Sequence, residues 1–199
     1  MNSIGLKVAK IAAALTFALT AVGCLAQRAS REFYVDCSRS QVGDGSLETP
    51  WNNLASVNAI ALQPGDTVHL RRGTLCHGSL SPKGSGAEQK PIRFTAYGEG
   101  PRPKIVADPK TEEALRLFNQ QYWDIDSLDI AGGSTYGIFI SGDNGILHYI
   151  HLSNLAVHDV IGGEMKHKES GLVSISPGSV NQHFDDVLVD NVTAWDTNQ

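Results

Sequence analysis

The chain of 199 residues is short of the groups that most often announce a function. It has no glycine-rich phosphate loop followed by lysine, no Gly-x-Ser-x-Gly elbow, no His-Glu-x-x-His helix and no EF-hand loop. Nucleotide cradling, α/β-hydrolase chemistry and the common zinc and calcium motifs are therefore not signalled. Positive charge is also scarce, with 16 Lys and Arg against 21 Asp and Glu. A chain this acidic is a poor candidate for nucleic acid, which wants a basic face, so no nucleic-acid partner is expected. There are three cysteines. Of these, Cys37 and Cys76 stand 39 residues apart without clustered histidines, which is no zinc pattern. From residue 114 onward no stretch has the periodicity of a long amphipathic helix.

What is present begins with an address. Met1 to Ala26 has a basic start (Lys7, Lys10), an apolar run from Ile11 to Val22 and a small-residue exit at Gly23-Cys24-Leu25-Ala26. That is the pattern of a secretory signal peptide, and the run is too short for a membrane span. In the alternative, Ala21-Val22-Gly23-Cys24 acts as a lipobox and Cys24 becomes a lipidated N-terminus. The only charges before residue 27 are Lys7 and Lys10, so removing this segment takes the net charge from −5 to −7. An exported chain with two remaining cysteines predicts a Cys37–Cys76 disulfide in an oxidising compartment, secreted or periplasmic. Two buried free thiols are the alternative.

Residues 27–66 read as a short strand, Phe33-Tyr34-Val35, and a helix. Thr49 is placed to cap it and Pro50 to open it. Trp51, Leu54, Val57 and Ala61 recur at helical spacing, so residues 49–62 are expected to form a single amphipathic helix that covers the front end of a strand solenoid. From residue 67 the apolar period is two: Val68/Leu70, Ile92/Phe94/Ala96, Leu115/Leu117, Ile138/Ile140 and Val173/Ile175.

One phrase recurs. Ile125-Asp126-Ser127-Leu128-Asp129-Ile130 overlays Leu152-Ser153-Asn154-Leu155-Ala156-Val157 and Val189-Asp190-Asn191-Val192-Thr193-Ala194. Upstream, Gly137–Ser141 resembles Gly171–Ser176. The key positions Ser127, Asn154 and Asn191 are 27 and then 37 residues apart, as coils with variable loops would give. These observations predict an all-β fold, a right-handed parallel β-helix with an N-terminal capping α-helix. Its coils run through residues 67–199 and, because the chain stops inside the phrase, are expected to continue beyond. Asn154 and Asn191 are expected at an internal turn, bonding backbone of adjacent coils. A β-sandwich shares the short strands but not the repeated phrase.

The succession Gly43-Asp44-Gly45-Ser46, Pro50-Trp51, Pro64-Gly65-Asp66, Gly84-Ser85-Gly86, Pro91-Ile92-Arg93-Phe94-Thr95-Ala96-Tyr97-Gly98 and Gly100-Pro101-Arg102-Pro103-Lys104-Ile105 resembles the opening of the pectate-lyase-like superfamily. The resemblance implies a secreted carbohydrate-active protein, a polysaccharide lyase or glycoside hydrolase on an extracellular or cell-wall polysaccharide. The alternative is a non-catalytic glycan-binding or surface-display module. The quoted residues are scaffold and carry no catalytic group.

Candidate chemistry comes from elsewhere in the chain. His158 and Asp159, followed by Glu164, Lys166, His167 and Lys168, are expected in a loop between coils. In a uronate lyase, Lys166 or His167 would take the C5 proton, with His158 and Asp159 beside it. Lys168, Glu164 and Tyr136 would contact the sugar. Asp124/Asp126 and Asp185/Asp186 are candidate oxygen ligands for calcium, the one cofactor suggested. Asp185 and Asp186 reach one side of a strand only if a turn intervenes. Arg71, Arg72 and Arg93 should point outward. Tyr122 and Trp123 are candidate sugar-stacking rings.

Overall fold

The structure, a computed structural model, describes residues 28–143, 145–161 and 171–197. Among these the regular structure is nearly all strand, numbered β1 to β14 in chain order, and it forms three sheets. The first holds β1 (Glu32–Val35), β2 (Thr67–Arg71), β4 (Ile92–Tyr97), β7 (Trp123–Asp126), β10 (Ile146–Ser153) and β13 (His183–Asp190), side by side in that order. The second holds β3 (Leu75–His77), β5 (Lys104–Val106), β8 (Asp129–Ala131), β11 (Ala156–Val160) and β14 (Thr193–Thr197). The third holds β6 (Glu113–Phe118), β9 (Tyr136–Gly142) and β12 (Gly171–Pro177). Neighbouring strands within each sheet are parallel. From β4 onward the chain visits the first, second and third sheets in rotation, so each circuit lies on the one before.

Stacking puts like residues over like, and the repeated phrase falls into register. Leu152 pairs with Ile125 on one side and Val189 on the other. Val157 likewise pairs with Ile130 and Ala194. In the third sheet Ile138 lies between Leu115 and Val173, and Ile140 between Leu117 and Ile175. Val68, Phe94, Ile125, Leu152, Ile130, Val157, Leu115 and Ile138 are all sealed from solvent in one apolar column. At about 1.5–3 kcal/mol for each fully buried large side chain, this column is the main stabilising term.

The corner between the first and second sheets is a left-handed residue. Ser127, Asn154 and Asn191 have φ of 60°, 53° and 50°. Asparagine tolerates this conformation better than most residues, which is why the phrase centres on it. The corner differs from expectation in its bonds. The Asn154 amide donates to the Asp126 carboxylate at 2.7 Å and the Asn191 amide to the Asn154 carbonyl oxygen at 2.6 Å. Asn154 is half-buried and Asn191 exposed, so the ladder runs between side chains at the surface and not to interior backbone.

The helix also differs. Within residues 49–62 only α1 (Leu54–Ala59) is helical, and its N-cap is Asn53, whose side chain accepts from the Ser56 N–H at 2.9 Å. Residues 49–53 are withheld from the helix because their backbone is used elsewhere. The Trp51 N–H donates to the Tyr34 carbonyl and the Asp36 N–H to the Trp51 carbonyl. Thr49 instead closes a loop, its hydroxyl donating to Asp44 at 2.6 Å. Leu54 and Val57 of α1 are buried in the core. The predicted disulfide is present, joining Cys37 to Cys76 in β3. No helix among the described residues is long and apolar enough to cross a membrane.

Candidate functional site

Period two sends Ile125 and Leu152 inward, and therefore sends Asp124, Asp126, His151 and Ser153 to the outer face of the first sheet. The register sets His151 beside Asp124 and Ser153 beside Asp126. Arg93, one strand earlier, pairs with Asp124. Three more residues reach this face because the alternation is interrupted. Tyr122, Tyr149 and Asp186 have φ of 58°, 55° and 60°. Tyr122 immediately precedes β7, while Tyr149 and Asp186 lie inside β10 and β13, and the alternation changes phase at each. Asp185 and Asp186 accordingly both meet partners on the outer face, through a left-handed residue within the strand and not through the turn expected from the sequence.

The result is a connected polar array. Arg93 Nε lies 3.1 Å from Asp124, and Asp124 lies 3.8 Å from His151 Nδ1. His151 Nε2 is 3.0 Å from Asp186, so its imidazole stands between two carboxylates. The Tyr149 ring stacks on His151 at 3.8 Å, and Tyr122 stacks on both Tyr149 and His148. His148 Nδ1 is 3.0 Å from Asp185. Burial raises the Tyr149 hydroxyl pKa above its ordinary value, and the Asp124 charge and hydrogen bond raise it further. The phenol thus keeps its proton across the neutral range, facing Asp124 as a donor. Stacked rings beside polar donors and acceptors suit a sugar, which has an apolar face and an equatorial ring of hydroxyls.

Asp126 behaves otherwise. Burial opposes its charge, but hydrogen bonds from Asn154, Ser127, Ser153 and Thr95 outweigh it and hold its carboxyl below the ordinary value. It is the acceptor on which the corner ladder ends, not a free ligand. Among the described residues no three His, Cys, Asp or Glu side chains converge to hold a metal ion. The calcium expected at Asp124/Asp126 or Asp185/Asp186 therefore finds no fitting donor set there.

The other predicted site residues are dispersed. His158 and Asp159 do not open a loop. Strand β11 runs on through Val160, which pairs with Thr197 and is buried. The left-handed Asp159 (φ 57°) is what turns Val160 inward. His158 is nearly buried, with Nε2 at 2.8 Å from Asp129, Nδ1 at 2.8 Å from Asp159 and the Trp195 indole stacked on it at 4.4 Å. Both its nitrogens are engaged. Tyr136 belongs to the third sheet, where it is half-buried and stacks on Phe139 at 4.4 Å. Glu164, Lys166, His167, Lys168 and the leader 1–26 with Cys24 lie outside the described residues. Trp123 is a core residue with no exposed surface, packed on Phe94. Arg71 and Arg93 do face outward.

His148, His151 and Tyr149 are absent from the sequence-based candidates. The signal for them existed. Tyr122, Tyr149 and Asp186 are 27 and 37 residues apart, the same intervals as Ser127, Asn154 and Asn191.

No protein-family model matches the chain, and no curated protein matches it either. Solved structures do. A GH136 lacto-N-biosidase from Eubacterium ramulus, in native form, is 25% identical with a TM-score of 0.62, covering 81% of this chain and 36% of its own. Its selenomethionine derivative gives 25% and 0.56, over 78% and 34%. A rhamnogalacturonan lyase is 14% identical, with a TM-score of 0.46 over 85% of this chain and 56% of its own. The chain thus spans about a third of the length of the lacto-N-biosidase it resembles.

Proposed function

We propose that this is an exported carbohydrate-active protein, a right-handed parallel β-helix of the pectate-lyase-like kind. In it α1 covers the front coil, and glycan lies along the outer face of the first sheet. The observation that carries the reading is the array on that face, in which His151 stands between Asp124 and Asp186 with the Tyr122 and Tyr149 rings beside it. The likeness to a lacto-N-biosidase supports carbohydrate as the ligand and glycosidic cleavage ahead of elimination. Hydrolysis uses two carboxyl groups, one protonating the leaving oxygen while the other acts from the opposite side, and Asp124 and Asp186 are the pair this array offers. Tyr149 and Arg93 would then position and neutralise Asp124.

A polysaccharide lyase on the same scaffold would take its base from Lys166 or His167, near His158 and Asp159 in the chain, with Lys168, Glu164 and Tyr136 at the sugar. Export would remove residues 1–26, or anchor the chain at Cys24, and a Cys37–Cys76 disulfide suits an oxidising compartment.

A binding-only module has one observation in its favour: the arginine, histidines and carboxylates of the array are already matched to one another. A panel of neutral and acidic oligosaccharides decides among these readings. Reducing-end release without unsaturation marks the hydrolase, unsaturated product absorbing in the ultraviolet marks the lyase, and binding without product marks the module. His151→Ala should lower binding or turnover at least tenfold, and Lys166→Ala should do so only for a lyase. Absence of both binding and product across the panel sinks the proposal.

A further inference from the structure

A second feature of the front coils is separate from the array. The loop 38–50 and the end of β2 enclose a cleft of about 480 Å³, within the range of small-ligand sites. Asp36 forms its floor and is 1% exposed. Asp36 accepts from the Ser38 N–H and hydroxyl and from Arg71 Nη1 at 2.8 Å, and Arg39 Nε lies 3.5 Å from it. Burial opposes the Asp36 charge, yet the bonds from Ser38 and Arg71 hold its carboxyl below the ordinary value, so it stays ionised at neutral pH. No other carboxylate lines the cleft among the described residues.

Two guanidinium groups therefore share one carboxylate, and one formal positive charge is left over. The arginine side chains are 45% and 51% exposed, so donors not used by Asp36 remain open to the cleft. Ser40, Gln41 and Thr49 add hydroxyl and amide groups to the wall. The site is also preformed. Gly43 N–H donates to the Pro50 carbonyl and Gly45 N–H to the Thr49 carbonyl, which closes the loop on itself. The backbone lies so close that a Cβ at Gly43 would stand 1.9 Å from the Thr49 carbonyl oxygen. The disulfide fixes the adjoining Cys37. Little ordering remains to oppose binding.

We infer that this cleft binds an oxyanion carried on a sugar, a uronate carboxylate or a sulfate ester, through Arg39 and Arg71. This names a substrate class for the carbohydrate reading above and rests on it. The hydroxyl and amide wall, and a volume well beyond that of a bare anion, favour a sugar-borne group over a free ion. Tyr97, paired with Arg71 across β2 and β4, sets an aromatic ring beside the charge.

The test is titration calorimetry on the whole chain with trigalacturonate, a sulfated trisaccharide, a neutral galactan trisaccharide and sodium sulfate. Arg39→Gln leaves the Asp36–Arg71 pair in place, and an unchanged melting curve verifies its fold. Trigalacturonate or the sulfated sugar should bind, weaken as salt rises, and lose about tenfold in affinity in Arg39→Gln. The neutral trisaccharide should not respond to that change. Lys90→Ala, in a separate basic cleft with Arg28 and Arg93, should bind acidic sugars as the parent does. Equal acidic binding by parent and Arg39→Gln, loss in Lys90→Ala instead, or sodium sulfate binding as tightly as both sugars would each overturn the inference. Neutral sugar binding without acidic binding would overturn it alone. If no sugar binds, it falls together with the wider reading.

Discussion

Along the six-stranded sheet, the aspartates change character from one end to the other. At the front, Asp36 and Asp66 are each 1% exposed, and each is held by arginine and by backbone N–H groups. Toward the back, the side chains of Asp185 and Asp186 are 68% and 59% exposed and face imidazoles. The physics of the two ends is different. A buried carboxylate has lost its water, so its partners must remain or the chain opens. An exposed pair keeps its water and contributes little to folding. One sheet thus supports a locked end and an end whose charges are available to a ligand. Neither is dictated by residue type, since both ends use Asp.

The strongest challenge to this contrast lies at Asp66. Its carboxylate accepts from the Gln63 and Arg31 N–H groups and from the Arg31 guanidinium. Asp66→Ala should cost about 3 kcal/mol in denaturant unfolding, because buried donors are left unpaired. Acid should reveal the same lock. Burial raises the Asp66 pKa, but the bonds from Arg31 and Gln63 outweigh it, and the carboxyl lies below its ordinary value of 3.8. Asp36 is lowered in the same sense. A depressed folded pKa gives stabilisation that is complete above the unfolded value and lost as pH falls through the folded one. The melting temperature should therefore hold from neutral to about pH 5 and fall below about pH 4. Asp66→Ala should flatten that fall. A flat acid limb in the parent would remove the distinction between the ends.

The disulfide belongs to the same locked end. Replacing Cys37 and Cys76 by Ser opens a link across 39 residues and should cost about 2–4 kcal/mol. A reductant should lower the melting temperature of the parent and leave the double variant unchanged. If both respond alike, the link contributes nothing to the front end.

A smaller effect is expected at the corner ladder, where the sequence was most legible. Asn154→Ala loses the bonds to Asp126 and Asn191 and puts alanine at φ 53°, a total of about 2 kcal/mol. Asn154→Gly keeps the conformation and should cost about half as much. Ser127, Asn154 and Asn191 could be aligned from sequence because stacked parallel coils place equivalent residues directly over one another. The apolar columns were legible for the same reason. The helix was not, since Trp51 is claimed by a backbone pairing with Tyr34 that lies 17 residues away and leaves no local mark. For His158 the sequence predicts a loop because strand periodicity ends at Val157, whereas one left-handed residue carries the strand to Val160. The array was missed in the same way. Period two assigns faces correctly only between left-handed residues, and Tyr149 and Asp186 reset the phase within the two longest strands of the first sheet.

The smallest expected effect on folding is also the most discriminating. Asp185→Asn and His148→Ala remove a pair whose side chains are 68% and 36% exposed, so each should shift stability by no more than about 0.5 kcal/mol. Asp186→Asn should be equally mild in unfolding, yet it removes the carboxylate 3.0 Å from His151. Glycan binding or cleavage should therefore fall further in Asp186→Asn than in Asp185→Asn, at matched stability. Parallel measurement of melting and glycan response in the two variants separates a charge that holds the sheet from one that serves its outer face. Should Asp186→Asn instead unfold the chain as readily as Asp66→Ala, the back of the sheet would be a lock as well, and the array would lose its claim to be free for a ligand.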